Sequence, residues 1–239
     1  ERTGKQRSPI HYMSETNYQT VFWDIGGVIV ELTSIRTGYA RFIDELATEH
    51  GLDPDDALER WKTALGDHFR GREGNTYRLA REGYAKATEA LLDDPPSDWQ
   101  SRFNTAIDEA IRPEDGAVET IRTLSASGIR LAIVSDVDTP EADRMLGEFG
   151  VRDHFEHVTT SEAIGYTKPD DRMFQDAIEG MDADPEQTLM IGDRYDHDIA
   201  GAAELGIQTV GYGKDAWGPK ADYEIDEIRA VLDIVGIDS

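Results

Sequence analysis

Apolar and polar residues alternate along this chain in two rhythms. Short apolar runs that lead into glycine, serine or aspartate are typical of buried strands. Five such runs occur, at 20–25, 130–135, 156–160, 188–192 and 207–211. Between and after the later runs the apolar spacing becomes helical, at 117–125, 141–149, 172–179, 199–205 and 225–235. Strands that alternate with helices predict an α/β fold with a doubly wound parallel sheet.

The stretch between the first two predicted strands has a different character. Helical spacing dominates from about Gly38 to Ile111, and Asp53-Pro54 is a favourable helix start because aspartate caps and proline fits the first turn. We predict about four helices here, inserted as an all-helical cap above the strand ends. The predicted boundaries are 1–17 for a flexible leader, 18–35 and 113–239 for the α/β core, and 36–112 for the cap.

The charge balance adds a prediction about the protein's environment. The 239 residues carry 49 acidic and 24 basic side chains, a formal net charge of −25, and only six of the basic residues are lysines. An acidic, lysine-poor surface suits concentrated salt, where the Debye length falls to about 3 Å and repulsion between carboxylates is screened. We therefore predict a halophilic protein, with an ordinary acidic protein as the alternative. The lack of a basic stripe argues against nucleic-acid binding.

Two absences from the sequence narrow the chemistry and the compartment. The chain has no cysteine, which excludes a thiolate nucleophile and a cysteine-ligated metal. It also has no apolar stretch near the roughly 20 residues that cross a bilayer, and no apolar signal core. We predict a cytoplasmic protein with no membrane partner.

Candidate phosphate chemistry lies where predicted strands end. Asp24 ends the first strand in WDIGG, and its carboxylate could attack phosphorus or hold a divalent cation. Ser135 ends the second strand in IVSD, where its hydroxyl and the backbone N–H of Asp136 could bind a phosphate oxygen. Lys168 in YTKPD could neutralise a nucleophile and a transferring phosphoryl group. The alternative for each is ordinary turn or capping chemistry.

A metal site is predicted at the same edge of the sheet. Asp193 and Asp198 lie in IGDRYDHD, directly after an apolar run, and would face Asp24 and the Gly26 carbonyl. Mg²⁺ prefers hard oxygen ligands of this kind. The same acids could instead serve a helix N-terminus, where negative charge is favourable.

The order and spacing of these segments resemble the haloacid dehalogenase superfamily of aspartate-nucleophile phosphohydrolases. The resemblance covers about Tyr18 to the C-terminus and places the helical insert in the family's cap position. It implies that Asp24 forms an aspartyl-phosphate intermediate and that Ser135 and Lys168 bind the phosphoryl group. A monomer or a homodimer is compatible with it.

The resemblance also implies a ligand set for magnesium. Asp24, the Gly26 carbonyl and Asp193 would bind the ion. Asp198 would be a further ligand, or the partner that orients Lys168 or a metal-bound water.

The sequence departs from the family pattern at Gly26. Family phosphatases usually carry a second aspartate there, which protonates the leaving group and then activates water. Such acid–base catalysis contributes about 10²–10⁴-fold, and glycine cannot supply it. Glu31 could fold back to replace it, or Asp136 could. Alternatively, the leaving group could need little protonation, as in anomeric or acyl phosphates.

Three functions remain open from the sequence. The leading hypothesis is a Mg²⁺-dependent phosphatase that acts on a small phosphorylated metabolite. The alternative is a catalytically weakened relative that binds a phosphometabolite in a regulatory role, which the missing acid motivates. A haloacid dehalogenase is a minor alternative, because that branch has an aromatic residue at the position of Gly26 and lacks the GDxxxxD metal site.

A polar cluster in the predicted cap is the candidate for substrate specificity. Its members could reach a substrate, but a solvated helix face is the favoured interpretation. They are Arg70, Arg72, Tyr77, Arg78 and Arg81.

Overall fold

Six parallel strands form the centre of the computed structural model, which describes residues 18–237. The predicted leader at 1–17 lies outside the described residues. The strands are β1 (Thr20–Trp23), β2 (Arg130–Ser135), β3 (Phe155–Thr160), β4 (Thr188–Gly192), β5 (Gln208–Tyr212) and β6 (Tyr223–Ile225). Every neighbouring pair is parallel. The predicted doubly wound α/β fold is confirmed.

The strand order places a crevice at one edge of the sheet. In space the order is β3-β2-β1-β4-β5-β6, so the chain runs outward from β1 and then returns to its other side. Ligands bind where the order reverses, at the carboxyl ends of the strands. Trp23 is level with Ile133 of β2 and Ile191 of β4. The residues that follow these three positions therefore meet at one edge.

Ten α-helices occur in the part of the chain that the structure describes. Four lie between β1 and β2 and are called the helical insert here: α1 (Leu32–His50), α2 (Pro54–Arg70), α3 (Ala80–Glu89) and α4 (Trp99–Ala110). The others are α5 (Ala117–Ala126), α6 (Thr139–Glu148), α7 (Ser161–Ile164), α8 (Asp171–Met181), α9 (Ala200–Glu204) and α10 (Ala230–Val235). Within residues 18–237, no helix is both long and apolar enough to cross a bilayer.

Aromatic side chains form the core of the helical insert. Tyr84 packs against Phe103 with ring centroids 4.6 Å apart, and Trp61 stacks on Tyr84 at 6.1 Å. The buried indole N–H of Trp61 donates to the Thr88 hydroxyl at 3.3 Å. Rings paired in this way contribute about 0.5–1.5 kcal/mol beyond their burial. The apolar spacing seen in the sequence thus packs one helix face of the insert against another.

Asp138 joins the helical insert to the rest of the fold. Its Oδ1 accepts hydrogen bonds from the backbone N–H of Ala80 at 2.9 Å and the hydroxyl of Tyr77 at 2.7 Å. Its Oδ2 accepts from the backbone N–H of Arg81 at 3.0 Å. The residue in the N-cap position of α3, Leu79, offers no capping side chain. A carboxylate from the loop after β2 therefore caps a helix of the insert.

The structure differs from the sequence analysis near the C-terminus. A helix was expected over 225–235, but Tyr223–Ile225 pairs with β5 as the edge strand β6, and α10 begins only at Ala230. Three residues are too few to show the alternation that identifies a strand. The strand is held by its pairing partner rather than by its own pattern. The helical insert also differs from its predicted bounds. Its first helix, α1, begins at Leu32, ahead of the predicted cap boundary at 36.

The carboxyl group of Glu141 lies between the helical insert and α6. It lines a cavity of about 270 Å³ that Tyr84 and Arg144 also line. Burial raises the pKa of Glu141 to about 7, and the charge of Asp138 acts in the same direction. The charge of Arg144 and a hydrogen bond from Tyr84 oppose this shift.

We predict that Glu141 makes the protein less stable as the pH rises from about 4.5 to 7. In that window the unfolded chain has already lost the proton that the folded protein still holds, so the unfolded state gains stability with pH. The shift corresponds to about 3 kcal/mol at most. Denaturation at several pH values should give Glu141→Gln a smaller decline than the wild type. Equal declines would contradict this account, because the other titrating groups are common to both proteins.

Candidate active site

Asp24 stands at the carboxyl end of the central strand. Its backbone N–H continues the sheet ladder by donating to the Ile191 carbonyl at 3.0 Å. Its Oδ1 accepts from the backbone N–H of Ile25 at 2.8 Å. The side chain is buried except for a small exposed fraction. The carboxylate is therefore held rigidly at the crevice, with its second oxygen outside these two contacts.

Lys168 is the centre of the site. Its side chain is 1% exposed, and Nζ lies 3.0 Å from Asp24 Oδ1 and 2.6 Å from Asp198 Oδ1. Nζ also donates to the Val134 carbonyl at 2.9 Å. Burial alone would lower the pKa of Lys168, but the charges of Asp198 and Asp24 together raise it above its ordinary value. The ammonium group stays charged between two carboxylates.

Asp136 holds the Lys168 loop in place. Its Oδ1 accepts from the backbone N–H of Lys168 at 2.8 Å and from the Ser161 hydroxyl at 3.0 Å. Its Oδ2 lies 3.3 Å from Nδ1 of His197. Burial acts to raise the pKa of Asp136, but the bond with His197 and the charge of Lys168 outweigh it and lower the pKa. These contacts leave Asp136 as an ionised acceptor, which does not suit the role of replacement acid.

Three carboxylates meet where a metal ion was expected. Oxygen atoms of Asp24, Asp193 and Asp198 all lie within 4.8 Å of one another. Among the described residues, the buried Oδ1 of Asp193 has no hydrogen-bond partner. Burial raises the pKa of Asp193 to about 7, and the charges of Asp24 and Asp198 add to the shift. The three acids outnumber Lys168 and Arg194, the two cations whose charges oppose the shift at Asp193, so hard oxygen donors and excess negative charge fit Mg²⁺.

Asp198 serves a different neighbour from Asp193. It is fully buried in a single π-helical turn, Tyr195–Ile199, and its Oδ2 accepts from the Arg194 backbone N–H at 3.0 Å. Its Oδ1 faces Lys168. Burial raises the pKa of Asp198 to about 6, although Lys168 pulls it down. Of the two roles expected for Asp198, its contacts favour orienting Lys168.

Two glycines of the motifs, Gly27 and Gly192, lie where an aspartate side chain packs directly against the backbone. A Cβ on Gly192 would overlap the Asp198 side chain, and a Cβ on Gly27 would overlap the Asp193 carboxylate. Gly27 also has a φ of 77°, which disfavours other residues. The glycines therefore let the two aspartates fold back over the strand ends.

Gly26 leaves the place of the expected acid without a side chain. A Cβ there would lie 3.3 Å from Cδ2 of Leu32, an exposed side chain that lies beside this position. The other proposed acid, Glu31, forms no side-chain hydrogen bond or ion pair within residues 18–237. Burial raises the pKa of Glu114, and the charge of Glu31 adds to that shift. Glu31 therefore acts on Glu114, and no contact brings it to Asp24.

The structure brings together most of the residues that the sequence analysis named for the site. The sequence analysis did not name two residues that support it. Asp24, Lys168, Asp193 and Asp198 converge, and Ser135 ends β2 beside them. His197 and Ser161 were not singled out, although both hold Asp136. The only signal for His197 was its place inside the Asp-rich turn.

Comparison with known proteins agrees with this arrangement. The family model described as haloacid dehalogenase-like hydrolase matches residues 18–206. Pyrophosphatase PpaX of Halalkalibacterium halodurans is 33% identical over 226 residues, covering 91% of this chain and 97% of that protein. The glyceraldehyde 3-phosphate phosphatase of Pyrococcus abyssi is 32% identical over 212 residues, covering 82% of each chain.

Other matches are shorter or show the fold alone. Against haloacid dehalogenase-like hydrolase domain-containing protein 3 of Mus musculus, identity is 33% over 135 residues, and the match spans about half of that protein, 51%. The solved HAD phosphatase of Thermococcus onnurineus superimposes with a TM-score of 0.71 at 22% identity, covering 91% of this chain and 98% of that one.

We predict that Asp193 lowers the stability of the metal-free protein and makes that stability depend on Mg²⁺. In chelator-treated protein, Asp193→Asn should raise the free energy of unfolding by about 1–3 kcal/mol, because it removes one buried negative charge from the cluster. Mg²⁺ should raise the Tm of the wild type but not of this variant. Thermal denaturation at constant KCl measures both effects.

Asp196→Asn is the matched control, since Asp196 is an exposed acid in the same turn. It should respond to Mg²⁺ like the wild type. An equal Mg²⁺ response in Asp193→Asn would show that Asp193 does not hold the ion.

Proposed function

The chain belongs to the haloacid dehalogenase-like hydrolase family, and on that premise we propose that it is a Mg²⁺-dependent phosphatase of a small phosphorylated metabolite. The observation that carries the proposal is the contact of Lys168 Nζ with Asp24 at 3.0 Å, beside an acid cluster that exceeds its charge. A cation and a nucleophile in contact at a sheet edge suit phosphoryl transfer. The names of the two long relatives, a pyrophosphatase and a phosphatase, support the same reaction class.

Asp24 is the proposed nucleophile. Its Oδ1 is engaged by Ile25 and Lys168, so the other carboxylate oxygen attacks phosphorus. The new O–P bond forms as the bond to the leaving oxygen breaks, and that oxygen takes the electron pair. Water then hydrolyses the aspartyl phosphate, which restores the carboxylate and releases inorganic phosphate.

Lys168, Ser135 and the Asp136 backbone bind the transferring phosphoryl group in this proposal, and other residues hold the metal ion and orient Lys168. Lys168 supplies positive charge, and Ser135 with the Asp136 backbone N–H donates to phosphate oxygens. Asp24, the Gly26 carbonyl and Asp193 would hold Mg²⁺, which when bound neutralises negative charge during transfer. Asp198 keeps Lys168 in position.

The environment and the helical insert belong to the same proposal. The insert, 32–110, acts as a cap over the crevice, anchored through Asp138. The excess of acidic residues suits work in concentrated salt. A regulatory phosphometabolite-binding protein is the alternative, which the missing side chain at Gly26 favours.

Replacement of Asp24 tests the nucleophile. Asp24→Asn should lower turnover of p-nitrophenyl phosphate in Mg²⁺ and concentrated KCl by about 10⁴-fold or more, because an uncharged amide cannot replace the attacking carboxylate. Mass spectrometry of acid-quenched wild type should find one phosphoryl group on Asp24. Asp56→Asn, an exposed acid of α2, should keep full activity. Turnover that survives in a folded Asp24→Asn protein would assign the nucleophile elsewhere.

A carboxylate restored at Gly26 tests the missing acid. Gly26→Asp should raise kcat/KM for alkyl phosphates by about 10–10³-fold and much less for p-nitrophenyl phosphate, whose leaving group needs little protonation. The exposed Leu32 side chain must shift by a few tenths of an ångström to admit it. Gly26→Asn adds the same bulk without the acid and should give no such gain. No gain with aspartate would mean that another residue already supplies the proton.

A further inference from the structure

The segment between α2 and α3 lies against the loop that carries Lys168. The Tyr77 backbone N–H donates to the Gly165 carbonyl at 2.9 Å, and the Thr167 backbone N–H donates to the Asn75 carbonyl at 2.8 Å. These two hydrogen bonds hold the segment against residues 165–167, which directly precede Lys168. Side chains of this segment of the insert therefore stand at the rim of the catalytic crevice.

Arg72 extends from this segment to the catalytic loop. Its Nη1 donates to the Thr167 hydroxyl at a long 3.4 Å, and Thr167 directly precedes Lys168. The side chain belongs to an exposed residue. No carboxylate within residues 18–237 forms an ion pair with Arg72. A guanidinium with five donors is thus held near the site by one weak contact.

The rest of the polar cluster seen in the sequence is already engaged. Arg70 pairs with Asp67 on its own helix, and Arg78 donates to the backbone carbonyls of His68 and Gly71. Arg81 pairs with Asp138 and Glu162, and Tyr77 donates to Asp138. Of these five side chains, only Arg72 has neither a carboxylate nor a backbone carbonyl as a partner within residues 18–237.

Arg72 can supply a positive charge that Lys168 does not have free for a second anionic group of a substrate. The charge of Lys168 is already balanced by Asp24 and Asp198. A substrate with a second anionic group would enter a protein of net charge −25, so that group needs its own cation. Arginine binds phosphate and carboxylate through two parallel hydrogen bonds, which gives geometric specificity as well as charge.

We propose that Arg72 is a specificity-determining residue that binds a second anionic group of the substrate, beyond the phosphoryl group transferred to Asp24. The preferred substrates are then small polyanions, such as phosphoanhydrides and phosphorylated acids, rather than monophosphates with an uncharged remainder. This inference rests on the proposed function and adds a substrate class to it.

The test compares how tightly inorganic pyrophosphate and inorganic phosphate bind at fixed free Mg²⁺. Affinity is the KM of pyrophosphate where it is hydrolysed and its inhibition constant against p-nitrophenyl phosphate where it is not. The wild type should prefer pyrophosphate, and Arg72→Ala should lower that preference by about 10–100-fold, as the loss of a charge-assisted hydrogen bond predicts. Arg72→Lys should keep part of the preference, since it keeps the charge without the planar fork.

Arg70→Ala is the matched control, because Arg70 is exposed, lies two residues earlier and pairs only with Asp67. It should keep the full preference. A wild type without the preference, or an Arg72→Ala variant that retains it, would overturn the inference while leaving the phosphatase proposal intact. If no variant hydrolyses p-nitrophenyl phosphate, the phosphatase proposal fails instead, and calorimetric titration of the two anions still tests Arg72.

Discussion

A buried ammonium group among aspartates is the constraint on which this site depends. Lys168 is 1% exposed and contacts Asp24 and Asp198, so removing either acid would take away one of the two carboxylates that hold its buried ammonium group. The chain meets this constraint with backbone geometry, because β1 and β4 end at the same level and deliver their aspartates to one point. Asp24, the proposed nucleophile, is consequently a structural residue as well.

The same constraint ties the catalytic loops to the helical insert. Asp136 fixes the backbone of Lys168, and two residues later Asp138 caps α3. One short loop after β2 therefore holds both the backbone of Lys168 and the start of α3 in the insert. The insert cannot move relative to the crevice without exchanging the buried contacts of Asp138.

The sequence predicted the parts of the fold whose pattern is carried by neighbouring residues along the chain. β2 and β4 begin and end where the apolar runs do, because buried parallel strands carry a continuous apolar pattern. The convergence of Asp24, Lys168 and Asp198 follows from the order of the strands. The partners of Asp138 and of Arg81 could not be predicted, since they are set by contacts between residues more than 50 positions apart. β6 was missed because three residues are too few to show a strand pattern, and its pairing with β5 makes it a strand.

The most direct measurement is a crystal structure of the protein grown with Mg²⁺. The account predicts one ion bound by oxygens of both Asp24 and Asp193 at about 2.1 Å, with Lys168 still between Asp24 and Asp198. An ion held elsewhere, or Asp24 and Asp193 turned apart with Mg²⁺ in excess, would contradict it.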